Sequence, residues 1–137
     1  MGAFKYILKN EREIYKNKER KAALLLELTK QPAIVRIEKP TRLAKAKTLG
    51  YSAKQGIIVV RARVGKGSFR RNRPIHARRP SKTALILNYR PSKLKIAEER
   101  VKRVYKNMKP LGGYFLADNG KYKWYEIILA DKNKLNK

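Results

Sequence analysis

The sequence contains no cysteine and one histidine, so it lacks the residues that most metal and redox sites need. Without cysteine, disulfides and thiolate zinc sites are excluded together, and a reducing, intracellular compartment is compatible with this composition. Because His76 is the one histidine, a histidine-rich metal site is excluded as well. We therefore predict that the protein binds no metal ion.

Long apolar runs are also missing from the sequence. No stretch approaches the ~18 apolar residues of a membrane-spanning helix. The opening Met-Gly-Ala-Phe-Lys-Tyr lacks the apolar core of a secretory signal. We therefore expect no membrane partner and a cytoplasmic location.

Acidic residues are absent from residues 39–97, which we call the acid-free segment. This segment carries 17 of the 36 Lys and Arg residues, and the ten acids lie on either side of it in a chain of net charge +26. Self-repulsion among so many cations destabilises a compact state unless a polyanion compensates it. Nucleic acid is the polyanion that a cell offers in quantity, since each neutralised phosphate also releases condensed counterions.

Few residues are available for catalysis. Glu98 and Glu99 form an adjacent carboxylate pair, but neighbouring residues of a helix diverge by about 100° and do not share a site. Gly65-Lys66-Gly67 begins like a phosphate-binding loop, but Arg70 stands where the third glycine would be. The sequence therefore predicts no enzymatic activity, no cofactor and no small-molecule substrate.

The length and the apolar content indicate one folded domain. Hydrophobic residues make up 42% of the 137 residues, which is enough to bury a core. We predict a single domain over residues 1–137. Its segments are an N-terminal helix (1–31), a short helix and first strand (40–64), a basic loop (65–82), and a strand, a helix and a C-terminal hairpin (83–131).

Apolar spacing and capping residues predict two helices in the first part of the chain. The first is a single long helix over residues 4–28, because this stretch contains good helix formers without Gly or Pro, and Pro32 ends it. The second is short, with Thr41 as its cap and Gly50 just past its end.

A third helix is predicted at residues 93–107. Ser92 is its expected cap and Pro110 its expected terminator. Three- and four-residue steps give this helix one apolar face. That face holds Leu94, Ala97, Val101, Val104 and Met108.

Alternating and β-branched stretches predict the strands, which cover residues 56–64, 83–89, 111–117 and 121–130, with residues 33–39 extended. The last two strands form a hairpin through Asp118-Asn119-Gly120, whose residues tolerate positive φ. The final strand is apolar on both faces, so both sides of the sheet need cover. The predicted fold is α+β: a small, mostly antiparallel sheet with helices packed on both faces, plus a long irregular basic loop.

The basic loop is the strongest candidate for binding RNA. It is rich in Arg, whose planar guanidinium binds phosphates and stacks on unpaired bases, and its composition predicts disorder in the free protein. The alternative is a solvated charged linker. Arg61 and Arg63 share a strand face and are either phosphate contacts or ordinary surface residues. The candidate RNA-binding residues are Lys39, Arg42, Lys45, Lys47, Lys54, Arg61, Arg63, Lys66, Arg70, Arg71, Arg73, His76, Arg78, Arg79, Lys82 and Arg90.

Aromatic residues have two interpretations. Phe69 and His76 lie among the arginines, where they either stack on bases or serve local structure. The hairpin aromatics are interpreted as core, because the signature of an aromatic RNA-binding sheet is missing. These hairpin residues are Tyr114, Tyr122, Trp124 and Tyr125.

Several segments together resemble the large-subunit ribosomal protein fifteen of archaea and eukaryotes, the e-type. They are the opening Met-Gly-Ala-Phe-Lys-Tyr-Ile, Lys39-Pro40-Thr41-Arg42, Lys45-Ala46-Lys47-Thr48, Leu49-Gly50-Tyr51-Ser52-Ala53-Lys54-Gln55-Gly56, Arg61-Ala62-Arg63-Val64, Ala97-Glu98-Glu99-Arg100 and Tyr122-Lys123-Trp124-Tyr125-Glu126-Ile127-Ile128-Leu129-Ala130-Asp131. The stretch 68–89 matches only loosely. The family also has a long basic C-terminal extension that this chain, which stops at Lys137, does not contain, so contacts through that extension are not carried over.

The resemblance implies a small antiparallel sheet with helices on both faces and a role inside the large subunit. We expect a structural constituent that binds and stabilises folded ribosomal RNA by neutralising phosphates. Its partners would be that RNA and neighbouring ribosomal proteins. The alternative is a basic DNA-binding or chromatin protein. DNA readers usually present a preformed helix to the major groove, whereas the densest charge here lies in a stretch punctuated by Gly and Pro.

Overall fold

The sheet at the centre of the structure has four antiparallel strands in the order β1-β2-β4-β3. The structure is a computed structural model, which describes residues 2–67, 74–78 and 91–135. Its elements are α1 (Gly2–Lys16), α2 (Lys18–Lys30), β1 (Ile34–Ile37), α3 (Leu43–Thr48), β2 (Ile57–Gly65), α4 (Lys93–Val104), β3 (Met108–Asp118), β4 (Tyr122–Asp131) and α5 (Lys132–Leu135). The predicted α+β fold with an antiparallel sheet is confirmed.

The N-terminal region is two helices, so the prediction of one long helix is wrong. Asn17 separates α1 from α2 with an extended backbone at φ −73° and ψ 115°. Its Oδ1 atom accepts hydrogen bonds from the backbone N–H groups of Glu19 at 3.0 Å and Arg20 at 3.4 Å. These bonds cap α2, and because one residue makes the break, the helical spacing of the sequence does not reveal it.

One face of the sheet is covered by α4. Ala97 and Val101 of the helix pack on an apolar cluster supplied by alternate residues of β2 and β4. The helix approaches β3 closely at Gly113, where a Cβ would lie 2.9 Å from Leu94 Cδ1. Glycine at this position therefore sets the distance between α4 and the sheet.

The end of α4 differs from its prediction. Its Ser92 cap is confirmed by a 3.2 Å bond from the Lys95 N–H to Ser92 Oγ. However, the helix ends at Val104, whose side chain is 59% exposed rather than part of the apolar face. Met108 begins β3, and Pro110 lies within that strand. A turn after Tyr105 ends the helix before the proline is reached.

The opposite face of the sheet is covered by α1, α2 and α3. Leu28 of α2 packs with Trp124 in one cluster, and Ala46 of α3 packs with Ile128 in another. Glu126 lies between these two residues of β4 and is fully buried. The sheet thus has helices on both faces, as predicted, and the helical face of α1–α3 encloses a carboxylate.

The hairpin of β3 and β4 is confirmed. Asn119 organises its turn, since Oδ1 accepts from the N–H groups of Lys121 at 2.9 Å and Tyr122 at 2.7 Å. The interpretation of Tyr114, Trp124 and Tyr125 as core is also confirmed, because each is at most 7% exposed. The predicted strand 83–89 and most of the predicted loop 65–82 lie outside the described residues.

Candidate nucleic-acid interface

A buried ion pair joins the two central strands beneath the acid-free segment. Arg61 of β2 faces Glu126 of β4 directly in the register of the sheet. Arg61 Nη2 and Nε donate to Glu126 Oε1 at 3.0 and 3.3 Å. Arg61 is 6% exposed and Glu126 is fully buried. Arg61 is therefore an interior residue rather than the surface phosphate contact that strand alternation suggested.

The Glu126 carboxylate also holds the start of the acid-free segment. Its oxygens accept from the Thr41 backbone N–H at 3.0 Å, from the Thr41 hydroxyl at 2.5 Å and from the Tyr114 hydroxyl. Burial, followed by the charge of Glu126, raises the pKa of Tyr114, so its hydroxyl stays a donor. Thr41 does not cap α3 as predicted, because its side chain is engaged by this carboxylate.

Arg61 makes two further hydrogen bonds. Nη1 donates to Gln31 Oε1 at 2.7 Å, and Nη2 reaches Thr41 Oγ1 at 3.0 Å. A buried charge is tolerated when it is paired and its other hydrogen-bonding groups are filled. The network therefore fastens the residues after α2 and before α3 to the middle of the sheet.

A second carboxylate, from α1, holds the N-terminus of α3. Glu11 Oε1 accepts from the Ala44 N–H at 2.6 Å. An acid at this place satisfies a helix-end donor and complements the helix dipole. Arg42, the residue before α3, has its Nε 3.9 Å from Glu11 Oε2 and its guanidinium over the Tyr15 ring at 4.8 Å. The Arg42 side chain therefore contacts mainly other residues of the protein, in α1, rather than solvent.

In residues 39–54, which we call the anchored segment, the cations that face solvent are lysines. Lys39, Lys45, Lys47 and Lys54 are all exposed. They follow one another along α3 and its flanking turns, while the neighbouring Ala44 and Ala46 are fully buried against the sheet side. The structure thus places these four predicted residues on one anchored, solvent-facing segment.

At the far end of β2 the predicted residues have protein partners. The Arg63 guanidinium lies 4.6 Å from the centre of the Tyr122 ring, and Lys66 Nζ is 2.7 Å from Asp118 Oδ2. The hydrogen bond from Lys66 lowers the pKa of the Asp118 carboxyl. Both cations remain half-exposed.

Beyond Gly67, the basic loop is described only at residues 74–78. His76 and Arg78 are exposed there, and His76 and Ala77 have φ of 64° and 56°, in the left-handed region. Phe69 and Arg90, which follows the predicted strand 83–89, lie outside the described residues. So do the other predicted loop cations, which are Arg70, Arg71, Arg73, Arg79 and Lys82.

Sequence reasoning missed the residues that support the interface. Glu126 carried a usable signal, since it is the one acid within the predicted strand 121–130 and lies in its apolar part, after Trp124-Tyr125 and before Ile127-Ile128. An acid in such a position is expected to be buried, and a buried carboxylate needs a cation or several donors. Glu11 carried no comparable signal, because its partner is a backbone N–H distant in the chain.

Other classes of site have no support in the part of the chain that the structure describes. No group of three or more His, Cys, Asp or Glu residues there is arranged to hold a metal ion. In the same residues, no helix is long and apolar enough to cross a membrane.

A cationic segment presented on an α+β scaffold is the electrostatic footprint expected of a nucleic-acid-binding domain. A family model described as Ribosomal L15 matches residues 2–136. The chain belongs to this family, the e-type of large-subunit ribosomal protein, and the resemblance in its sequence is confirmed. Its members are structural constituents of the large subunit, a ribonucleoprotein that carries out translation.

Proposed function

We propose that this protein binds folded ribosomal RNA in the large subunit and stabilises it by neutralising phosphates. It does so in the cytoplasm, beside neighbouring ribosomal proteins and without catalytic activity. The observation that carries the proposal is the anchoring of the acid-free segment. Two carboxylates from other parts of the chain, Glu126 and Glu11, hold its backbone while four of its lysines face solvent.

Anchoring favours binding for a physical reason. A segment that is already ordered loses less conformational freedom on association than a flexible one. Within the described residues neither anchoring acid forms an ion pair with these four lysines, since Glu126 pairs with Arg61 and Glu11 with Arg42. The lysines therefore remain available to phosphate while the backbone of the segment stays fixed.

The proposed contact set is narrower than the sequence suggested. Arg61 is excluded by burial, and Arg42 is placed at the edge of the interface by its contacts with Glu11 and Tyr15. The exposed lysines of the anchored segment and His76 and Arg78 of the loop are retained. Other predicted cations are retained because of their charge and their position in the chain. They are Arg63, Lys66, the loop residues Arg70, Arg71, Arg73, Arg79 and Lys82, and Arg90.

The test is the salt dependence of binding to a large-subunit ribosomal RNA fragment. Removing one cation that touches a phosphate should flatten the slope of log affinity against log salt by about 0.7 to 0.9 units. Changing Lys45, Lys47 and Lys54 to Gln should therefore lower the slope by about 2 to 3 units. The matched control changes Lys102, Arg103 and Lys106 to Gln, since these exposed cations lie outside the acid-free segment.

Equal slope changes in the two variants would contradict the proposal that the anchored segment is the main contact. The same fragment should also be compared with a DNA duplex of equal length. Tighter binding to the DNA would favour the alternative of a DNA-binding or chromatin protein.

A further inference from the structure

A small cavity lies between the N-terminal helices and the sheet. Its volume is about 140 Å³, and its walls include Leu24 of α2, Ala117 of β3 and the Tyr15 ring. Glu11 and Thr41 give it a polar end, and Arg20 and Lys21 line it from the start of α2. The break at Asn17 places these two cations there.

One residue of the cavity wall, Tyr15, carries a polar atom without a hydrogen-bond partner among the described residues. This atom is the oxygen of the Tyr15 hydroxyl, which is buried. A buried hydroxyl without a partner costs free energy in the free protein. Such an atom on a cavity wall is explained if a ligand supplies the missing hydrogen bond.

Charge indicates what kind of ligand this is. Arg20 and Lys21 are exposed and carry positive charge, whereas the wall behind them is apolar with a hydroxyl and a carboxylate at its end. A nucleotide has groups that match these in the same order. Its anionic phosphate matches the two cations, the apolar faces of its base match the apolar wall, and the polar edge of the base matches the hydroxyl and the carboxylate.

We infer that this cavity receives one unpaired pyrimidine base of the ribosomal RNA, with its phosphate on Arg20 and Lys21. The inference rests on the proposed RNA-binding function and adds a base-specific site to it. The volume selects the ring size, because an engineered cavity of about 150 Å³ admits a single six-membered ring such as benzene. A fused purine ring would extend beyond this space into solvent.

The Tyr15 hydroxyl stays protonated when a base binds at neutral pH. Burial raises the pKa of Tyr15 to about 12, so the group both donates and accepts. Glu11 keeps unused acceptor positions beside it, since the only hydrogen bond found for this carboxylate within the described residues is from the Ala44 N–H. Donor and acceptor groups on the pyrimidine edge therefore have partners of the opposite kind.

Short single-stranded oligonucleotides of equal length test the inference, because their phosphate charge is the same. Oligocytidylate and oligouridylate should bind about tenfold more tightly than oligoadenylate, within the range for one buried base. Leu24→Trp, which fills the cavity, should abolish that preference. Leu26→Trp is the matched control on the same helix, because Leu26 is 66% exposed.

Tyr15→Phe gives a second readout that does not depend on filling the cavity. Removing a buried hydroxyl that has no partner should leave the thermal midpoint of the free protein unchanged or raise it. The same substitution should reduce the pyrimidine preference several-fold. A lowered midpoint would mean that the hydroxyl serves the fold and would count against the inference.

The salt slope with the large RNA fragment separates this inference from the proposed function. If the fragment binds with the expected slope while the oligonucleotides bind equally and Leu24→Trp has no effect, the pyrimidine site is wrong and phosphate neutralisation stands. If Leu24→Trp leaves oligonucleotide binding intact but blocks a neighbouring ribosomal protein, the cavity takes a protein side chain and the inference is overturned.

Discussion

At the scale of single residues, the most consequential side chain is an acid in a basic protein. Glu126 is fully buried and accepts hydrogen bonds from Arg61, Thr41 and Tyr114. It fills a space between two apolar clusters where an uncharged residue would leave the Arg61 guanidinium unpaired. Removing one partner of a buried pair is costly because the other charge stays out of water.

We therefore expect Glu126→Gln to lower the free energy of unfolding by about 3 to 5 kcal/mol. Urea denaturation followed by tryptophan fluorescence measures this change, since Trp124 lies two residues away in the same strand. Glu99→Gln, at an exposed position of α4, should change stability by less than about 0.5 kcal/mol. Similar losses in both variants would show that Glu126 has no special role.

Tyr15 gives a pH dependence of known sign. Its pKa rises to about 12 in the folded protein, mainly through burial, whereas an unfolded tyrosine ionises at pH ~10. The raised pKa stabilises the fold fully below pH ~10, and this stabilisation is lost as the pH rises from there toward ~12.

Tyr15→Phe should therefore lose less stability than the original protein between pH ~10 and ~12. The measurement is the urea midpoint at a series of pH values. Tyr6→Phe is the control, because Tyr6 is 72% exposed. Identical pH profiles for the original protein and Tyr15→Phe would show that the raised pKa of Tyr15 does not cause this loss of stability.

At the scale of elements, α3 depends on its surroundings. It has six residues, Leu43–Thr48, which is too short to persist as an isolated helix. Glu11 holds Ala44 of its first turn, Glu126 holds Thr41 just before it, and Ala44 and Ala46 are fully buried. The helix that presents two of the exposed lysines is thus stabilised almost wholly by tertiary contacts.

Glu11→Gln should loosen α3 specifically. The substitution removes the charge that complements the helix N-terminus, at a cost of about 1 kcal/mol. Amide hydrogen exchange should accelerate in α3 while exchange in β4 stays unchanged. Glu13→Gln on the same helix α1 is the matched control, since Glu13 is exposed. Unchanged exchange in α3 would show that Glu11 is not its cap.

Local signals in the sequence predicted several elements correctly. The Asn119 turn, the Ser92 cap and Gly50, with φ 90° after α3, each follow from the chemistry of one residue. The break at Asn17 was missed, because a single capping residue leaves the apolar spacing unchanged. The burial of Arg61 was missed because it depends on a cross-strand partner 65 residues away.

The candidate site was predictable in composition but not in geometry. The absence of acids located the basic segment, since net charge is a property of sequence alone. Which cations face solvent depends on the acids that reach the segment from elsewhere, and sequence spacing does not supply those contacts. Lys45 and Arg61 are accordingly both candidate RNA-binding residues by sequence, although Lys45 is exposed and Arg61 is buried.

At the scale of the whole molecule, the acids act as internal counterions. Four ion pairs in the described part of the chain join a cation of the acid-free segment to an acid outside it. They are Arg42–Glu11, Arg61–Glu126, Lys66–Asp118 and Lys95–Glu98. With a net charge of +26, these contacts leave most of the positive charge uncompensated. The free protein should therefore be strained by self-repulsion that RNA relieves.

This imbalance predicts opposite responses of folding and binding to salt. Raising the salt from ~0.01 M to ~0.15 M shortens the Debye length from about 30 Å to about 8 Å, so repulsion between distant cations is screened. The thermal midpoint of the free protein should rise over this range, while affinity for the ribosomal RNA fragment falls. A midpoint that falls with salt would show that ion pairs outweigh repulsion.

Removing charge should act on the free protein as salt does. Changing Arg70, Arg71, Arg73, Arg78 and Arg79 to Gln should leave the low-salt midpoint unchanged or slightly raised, because less repulsion remains. The difference from the original protein should shrink near ~0.15 M salt, where screening already weakens that repulsion. The same variant should flatten the salt slope of RNA binding by roughly four units if all five arginines contact phosphate. A large loss of stability at both salt concentrations would instead mean that these arginines hold the fold together, and their role in binding would then have to be measured one residue at a time.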